Sequence, residues 1–263
     1  MQQTFYVGPA GLPKNDPDGI DILADDGLNA AEIPFTYSVW MDEERAQRIG
    51  KRARERQVRL SVHASYFVNL AALEEEKRTK SRERILQASR IAYALGARHV
   101  VFHAGYYLNR DPESVFQIIK NEIQSIQKTL HTEGVDIYIS PETTGKPTQF
   151  GSLDELMRLR KETGCSLCVD FAHLEARTAG DFSYEDALQT LADVKDLHCH
   201  FSGIEYTQKG ERRHIVTPEN RMQDLFSLLV GASNKEIAVI NESPEPFDDA
   251  CRMKQTVERL QQK

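Results

Sequence analysis

The sequence predicts a (β/α)8 TIM barrel, and three observations lead there. Strand-like and helix-like segments alternate along the chain, the candidate strands start about 30 residues apart, and eight such units fill 263 residues. That length is usual for such a barrel. No Pro-, Gly- or Ser-rich linker interrupts it, so residues 1–263 are expected to form a single domain.

The candidate strands are residues 5–8, 31–34, 59–63, 99–103, 136–141, 165–170, 197–202 and 237–241. Between them, Phe116, Ile119, Ile123, Ile126 and Leu130 recur at 3-4-3-4 spacing, an apolar helical stripe. Ile85, Ala88, Ala92 and Leu95 do the same, with Gly96 placed to cap the helix end. Tyr184, Leu188, Leu191 and Val194 mark a further helix. An open doubly wound sheet would also alternate in this way. It would favour a Gly-rich phosphate loop after the first strand, and Gly8-Pro9-Ala10-Gly11-Leu12-Pro13 is no G-x-G-x-x-G.

Composition narrows the class further. With 40% hydrophobic and 28% charged residues the chain reads as a soluble globular protein. No run approaches the ~18 consecutive apolar residues of a membrane span, so no membrane association is expected. The first residues carry no basic region, which leaves a cytoplasmic location as the expectation. Four cysteines are too few and too clustered for a disulfide framework. Cys165 and Cys168 form a C-x-x-C, but on a strand their side chains would point to opposite faces, which argues against a shared metal. A net charge of −7 opposes broad attraction to nucleic acid and leaves room only for a local basic rim.

The informative pattern is positional. The third strand ends at His63, the fourth at His103, and the fifth runs into Glu142. The sixth ends at Asp170 with His173 just beyond, the seventh contains His200, and the eighth meets Glu242. In a closed barrel these ends converge on one mouth, where TIM-barrel sites are built. Imidazole and carboxylate without thiolate suit Zn²⁺ or Mn²⁺. Four His and three acidic residues exceed one tetrahedral ion's needs, which points to two or more ions. Two ions sharing a carboxylate suit phosphoryl chemistry, and one ion suits isomerisation of a sugar; the residues alone allow both. His99 and His131 read as structural or exposed, His198 as lying further from the mouth than His200, and Glu74-Glu75-Glu76-Lys77-Arg78 as a solvated charge run.

Taken together, several motifs resemble the endonuclease IV family of apurinic/apyrimidinic endonucleases, among the xylose-isomerase-like barrels. They are Val7-Gly8-Pro9-Ala10-Gly11, His63-Ala64-Ser65-Tyr66-Phe67-Val68-Asn69-Leu70, Phe102-His103-Ala104-Gly105 and Pro141-Glu142-Thr143-Thr144-Gly145-Lys146. Val169-Asp170-Phe171-Ala172-His173, His200-Phe201-Ser202-Gly203 and Asn241-Glu242-Ser243-Pro244 continue the series, and Lys80-Ser81 is expected to open the helix after the second motif. The resemblance implies a metal-dependent hydrolase of DNA repair that cuts double-stranded DNA 5′ to abasic sites through a zinc-bridged hydroxide. It implies that His63 and His103 hold a first zinc, that Glu142 bridges to a second, and that Asp170, His200 and Glu242 complete that second site. His173 and His214 would hold a third ion, and Tyr66 would lie on the DNA-contacting face. Glu142 and Glu242 are the implied catalytic carboxylates.

This sequence departs from that pattern at three places. Arg212-Arg213-His214 stands where the family has Asp-x-His, and a guanidinium cannot replace a carboxylate ligand. The third ion is therefore expected to be weak, absent, or completed by Glu205, Glu211 or water, while Arg212 and Arg213 become candidates to pair with a phosphate directly. The loop Phe35-Thr36-Tyr37-Ser38-Val39-Trp40 is short and lacks basic residues, and Phe171 and Ala172 replace smaller polar residues. The expected protein is a monomer with two zinc ions, Mn²⁺ being an alternative. Other readings are a metal-dependent sugar isomerase or epimerase on the same barrel, with Lys146 its only evident catalytic lysine, and a non-enzymatic binder of metal or damaged DNA.

Overall fold

Closure of the sheet is the feature that decides the architecture. The computed structural model describes residues 4–232 and 236–262; residues 1–3, on which part of the expectation of no basic leader falls, lie outside them. The strands are β1 (Thr4–Pro9), β2 (Ala30–Pro34), β3 (Arg59–His63), β4 (His99–Phe102), β5 (Gly105–Tyr106), β6 (Tyr138–Pro141), β7 (Gln149–Phe150), β8 (Cys168–Asp170), β9 (Asp196–Phe201), β10 (Gly203–Thr207), β11 (Gly210–Ile215) and β12 (Glu236–Asn241). Parallel pairing joins β1-β12-β9-β8 into one arc and β2-β3-β4-β6 into another. Parallel bridges Ala10–Glu32 and Glu142–Cys168 close the two arcs into one barrel. Gly8 makes the first junction possible, because a Cβ there would lie 1.7 Å from the Ala30 carbonyl oxygen. A closed eight-stranded barrel excludes the open sheet.

The apolar stripes dock the outer helices. In the helix Pro112–Thr132, Phe116, Ile119, Ile123, Ile126 and Leu130 are all buried. The helix Glu75–Leu95 buries Ile85, Ala88, Ala92 and Leu95 and ends at Gly96, whose φ of 69° is the left-handed cap that glycine allows. It begins at Glu75, so Lys80 and Ser81 lie inside it rather than opening it. Two further expectations shorten. The helix after Ser183 stops at Thr190, leaving Leu191 and Val194 buried beyond its end. Strand β8 begins only at Cys168, so Cys165 precedes it and the opposite-face argument for the two thiols does not apply. The segment around Arg212 and Arg213 is a β-hairpin, β10–β11. No helix among the described residues is long and apolar enough to cross a membrane.

At the N-terminal face the barrel is tied by charge. Asp196 receives Arg59 and Arg98, and Arg59 also reaches Glu236 at 3.3 Å. His99 is fully buried beside this cluster, with Nδ1 2.9 Å from Ser140 Oγ and Nε2 3.5 Å from Asp196 Oδ2. Burial lowers its pKa to about 4, against the upward pull of Asp196 and with His198 adding to the fall. Between pH 6.5 and 4 the unfolded chain therefore binds a proton at His99 that the folded chain does not. Stability rises with pH across that window and is lost on acidification, by up to about 1.4 kcal/mol per pH unit. Urea unfolding at pH 7 and pH 4.5 should show a smaller acid loss in His99→Gln than in wild type; equal losses would remove His99 from the account.

Candidate metal centre

The eight strands deliver the expected ligand types to one mouth, each by a local device. His63 is the last residue of β3, and its Nδ1 donates to the Ala64 carbonyl at 2.8 Å, turning Nε2 inward. His103 follows β4, and Glu142 follows β6, where its backbone bridges to Cys168. Asp170 ends β8 and caps the helix Phe171–Arg177: Oδ1 accepts from the His173 backbone N–H at 2.7 Å, so His173 falls in the first turn. Asn241 holds the turn after β12. Its side-chain amide donates to the Phe201 carbonyl and its Oδ1 accepts from Ser243 N–H, which sets Glu242 facing the mouth.

Glu142 is the hub. Its Oε2 lies 3.1 Å from His63 Nε2 and 2.9 Å from His103 Nε2, and its Oε1 lies 3.2 Å from His173 Nδ1 and 3.3 Å from His200 Nδ1. Glu242 approaches the same His200 Nδ1 at 3.4 Å. Among the described residues four groups of side chains bring ligand atoms within 4.8 Å of one another, and three of them lie at the mouth: His63–His103–Glu142, Glu142–Asp170–His200–Glu242 and Asp170–His173–His214. These are the residues the sequence singled out. Glu142 belongs to two groups and Asp170 to two.

The electrostatics fit cations. Burial opposes the charge on Glu142, but His103 and His200 hold its carboxyl well below the usual range. Burial likewise opposes charge on His63, yet Glu142, Glu32 and Glu242 raise it to about 9. Burial raises Asp170, with Glu142 and Glu242 adding repulsion, and its Oδ2 is buried with no hydrogen-bond partner. A buried carboxylate oxygen without a donor, facing two more carboxylates, is the environment a divalent ion relieves.

The third group differs from the sequence expectation in an instructive way. Pairing in the hairpin runs Glu205–Arg213 and then Tyr206–Glu211, so Arg212 is an extra residue, a β-bulge. Alternation would turn residues three apart to opposite faces, but here Glu211 Oε2 lies 3.6 Å from His173 Nε2 while the His214 ring sits 5.1 Å from that of His173. Gly145 leaves the space: a Cβ there would be 2.7 Å from Glu211 Cβ and 3.0 Å from His173 Cδ2. Glu211 thus supplies a carboxylate beside this group, whereas Glu205 is engaged by Arg213 at 2.8 and 3.0 Å on the exposed side. Arg212 is exposed, and Lys146 is exposed.

Two buried residues join the site that the strand-end pattern passed over. Glu32, in the middle of β2, lies 2.9 Å from His200 Nε2, and His198 Nε2 lies 3.0 Å from its other oxygen. The available signal was a lone acidic residue inside the apolar run Ala30-Ala31-Glu32-Ile33, since parallel strands covered on both faces are otherwise apolar. Around the mouth, Tyr66 sits 5.6 Å from the His63 ring and is 61% exposed, and Tyr37 (74%) and Phe67 (57%) meet at 6.1 Å.

Residues 20–263 match the xylose isomerase-like TIM barrel family. The chain belongs to that family. An uncharacterized protein of Methanocaldococcus jannaschii is 37% identical over 82% of this chain and 83% of its own length. A probable endonuclease 4 of Mycobacterium leprae is 30% identical over 58% of this chain and 60% of its own. Among solved structures, a D-tagatose 3-epimerase-like protein superposes with a TM-score of 0.76 at 18% identity, covering 99% of this chain and 97% of that one. Endonuclease IV from Thermus thermophilus gives 0.69 at 19%, covering 100% and 99%. At such identities the superpositions speak to the fold alone.

Because Glu142 is common to two ligand groups, Glu142→Ala is expected to strip both of their ions at once. Elemental analysis after dialysis checks this, and metal content equal to wild type would reject the shared role.

Proposed function

We propose that this chain is a metal-dependent phosphodiesterase of the endonuclease IV type that cuts double-stranded DNA 5′ to abasic sites, acting as a cytoplasmic monomer. The observation that carries this reading is the run of three ligand groups through one mouth, linked by Glu142 and Asp170. His63, His103 and Glu142 would hold one zinc ion, and Glu142, Asp170, His200 and Glu242 a second. Asp170, His173 and His214 would hold a third, with Glu211 in the place that Arg212 cannot fill; Mn²⁺ suits the same oxygen and nitrogen donors. Ions bound there supply Lewis acidity against the oxygens of a phosphodiester.

The protein's own groups have distinct tasks. Glu142, fully buried, keeps the imidazoles and cations together. Glu242, whose side chain is 17% exposed, is the carboxylate of the second group that solvent reaches, and so the one placed to accept a proton from an attacking water. The exposed rings of Tyr37, Tyr66 and Phe67 offer bases and sugars a stacking surface, a feature suited to an opened duplex. Arg212 is a hairpin cation available to a phosphate, whereas Arg213 is committed to Glu205.

A second reading, a sugar isomerase or epimerase, is favoured by one observation: Glu142, Asp170, His200 and Glu242 make a complete single-ion set without the other groups. Kinetics separate the two. On a duplex with one abasic site, metal-loaded wild type should cleave with kcat/KM falling steeply as salt rises. Tyr66→Ala should raise KM roughly tenfold, within the ~1–3 kcal/mol of a base–aromatic stack, and Arg212→Ala should weaken binding more than Arg213→Ala. No cleavage together with turnover of a ketose would transfer the assignment to the isomerase reading, and metal or DNA binding with neither activity to a non-enzymatic role.

A further inference from the structure

Beneath the mouth, inside the barrel, lies a column of polar side chains that the proposed chemistry does not use. Its centre is Glu32, 1% exposed. Oε2 accepts from Ser61 Oγ at 2.7 Å and lies 3.0 Å from His198 Nε2, and Oε1 lies 2.9 Å from His200 Nε2. No Lys or Arg ion pair to Glu32 occurs among the described residues; the groups that face its charge are two imidazoles and a hydroxyl. A Val or Leu would fill this strand position without the penalty of burying a carboxylate. Packing therefore does not account for Glu32.

We infer that Glu32 is a positioning residue for the metal centre: it holds His200 through Nε2 so that Nδ1 is presented to the group formed by Glu142, Asp170 and Glu242. This rests on the reading that the group binds an ion. The geometry supplies the argument. His200 carries its two nitrogens to opposite sides, Nε2 down to Glu32 and Nδ1 up to Glu142 (3.3 Å) and Glu242 (3.4 Å). An imidazole that gives one N–H to a carboxylate has its lone pair, and added basicity, on the other nitrogen. The carboxylate is itself braced. His198, on its other oxygen, stacks on His99 at 4.7 Å and 13°, and His99 is tied to Ser140 at 2.9 Å. Strands β2, β3, β4, β6 and β9 thus contribute to holding one ring. Cys168, His198 and His200 also bring ligand atoms within 4.8 Å, which raises a rival: a separate, deeper ion site. Glu32 Oε2 is hydrogen-bonded to His198 Nε2 at 3.0 Å, and Oε1 faces His200 Nε2 as an ion-pair contact at 2.9 Å. These contacts favour the carboxylate as the partner of both rings, and the buried atoms left without a hydrogen bond, Glu32 Oε1, His198 Nδ1 and His200 Nε2, are what the rival site would use.

The test is metal binding by the full-length chain, using Zn²⁺ for affinity and Co²⁺ for its spectrum. Glu32→Gln keeps the shape and removes the charge. It should weaken the ion at Glu142–Asp170–His200–Glu242 by 10- to 100-fold, the range for loss of an outer partner of a ligating imidazole, and leave the ion at His63–His103 within a few-fold. Unchanged affinity and an unchanged Co²⁺ spectrum in a folded Glu32→Gln protein would overturn the inference. Should that variant not fold, His198→Gln removes the brace but keeps the carboxylate, and a weakening of that same ion alone is expected; equal affinity would again overturn it. In the zinc-loaded wild type, nitrogen NMR should find the His200 proton on Nε2, and a proton on Nδ1 would be fatal. A cobalt–thiolate band lost in Cys168→Ser would decide for the rival site. Wild type that binds no ion at all would instead overturn the proposed function, so the two failures are distinguishable.

Discussion

Glu142 carries a negative charge that burial opposes, and four imidazoles converge on its two oxygens. The mouth is organised around this carboxylate. Without positive charge close by it would have to protonate, and His63 and His103 would lose the carboxylate that their Nε2 atoms face, while His173 would keep the Thr143 carbonyl and His200 would keep Glu242 and Glu32. Each of those rings comes from a different strand or the turn after it. A single acidic side chain therefore links the register of β3, β4, β8 and β9 to the chemistry of the site, and any shift of one strand by a residue would break the convergence.

The two ends of the barrel divide the work. At the N-terminal face, the mostly buried Arg59 and Asp196 and the exposed Arg98 and Glu236 tie strands together in opposite-charge pairs, a matter of stability. At the C-terminal face the charges are buried, mutually close and left with an unpartnered oxygen on Asp170. Between the faces runs the line His99, His198, Glu32 and His200, polar where a barrel interior is otherwise layered with aliphatic side chains.

Much of this was legible in the sequence. The strand starts are spaced as a barrel requires, the stripes at Phe116 and Ile85 give helix faces directly, and the strand ends point to His63, His103, Glu142, Asp170, His200 and Glu242. What was not legible depended on contacts across the sheet. Glu32 looks like one charge among forty acidic residues until its register against Ser61 and its distance to His200 are known. His198, set apart as further from the mouth, does lie deeper, and its significance comes only through Glu32. Apolar patterning overstates the end of the Tyr184 helix and the start of β8, because Leu191 and Val194 stay buried after the helix stops and Cys165 is buried before the strand begins.

The bulge at Arg212 carries a consequence for how motifs are compared. One inserted residue reverses the parity of a strand, so the side chain that reaches a given point in space belongs to a different letter of the alignment. Judged only by the Asp-x-His pattern that the resemblance implies, the hairpin offers a base where an acid is expected. Measured at His173, it has an acid still, one position upstream. For this hairpin the backbone bulge, as much as residue identity, decides which side chain faces His173, and a variant that removed the extra residue would turn a different one toward it.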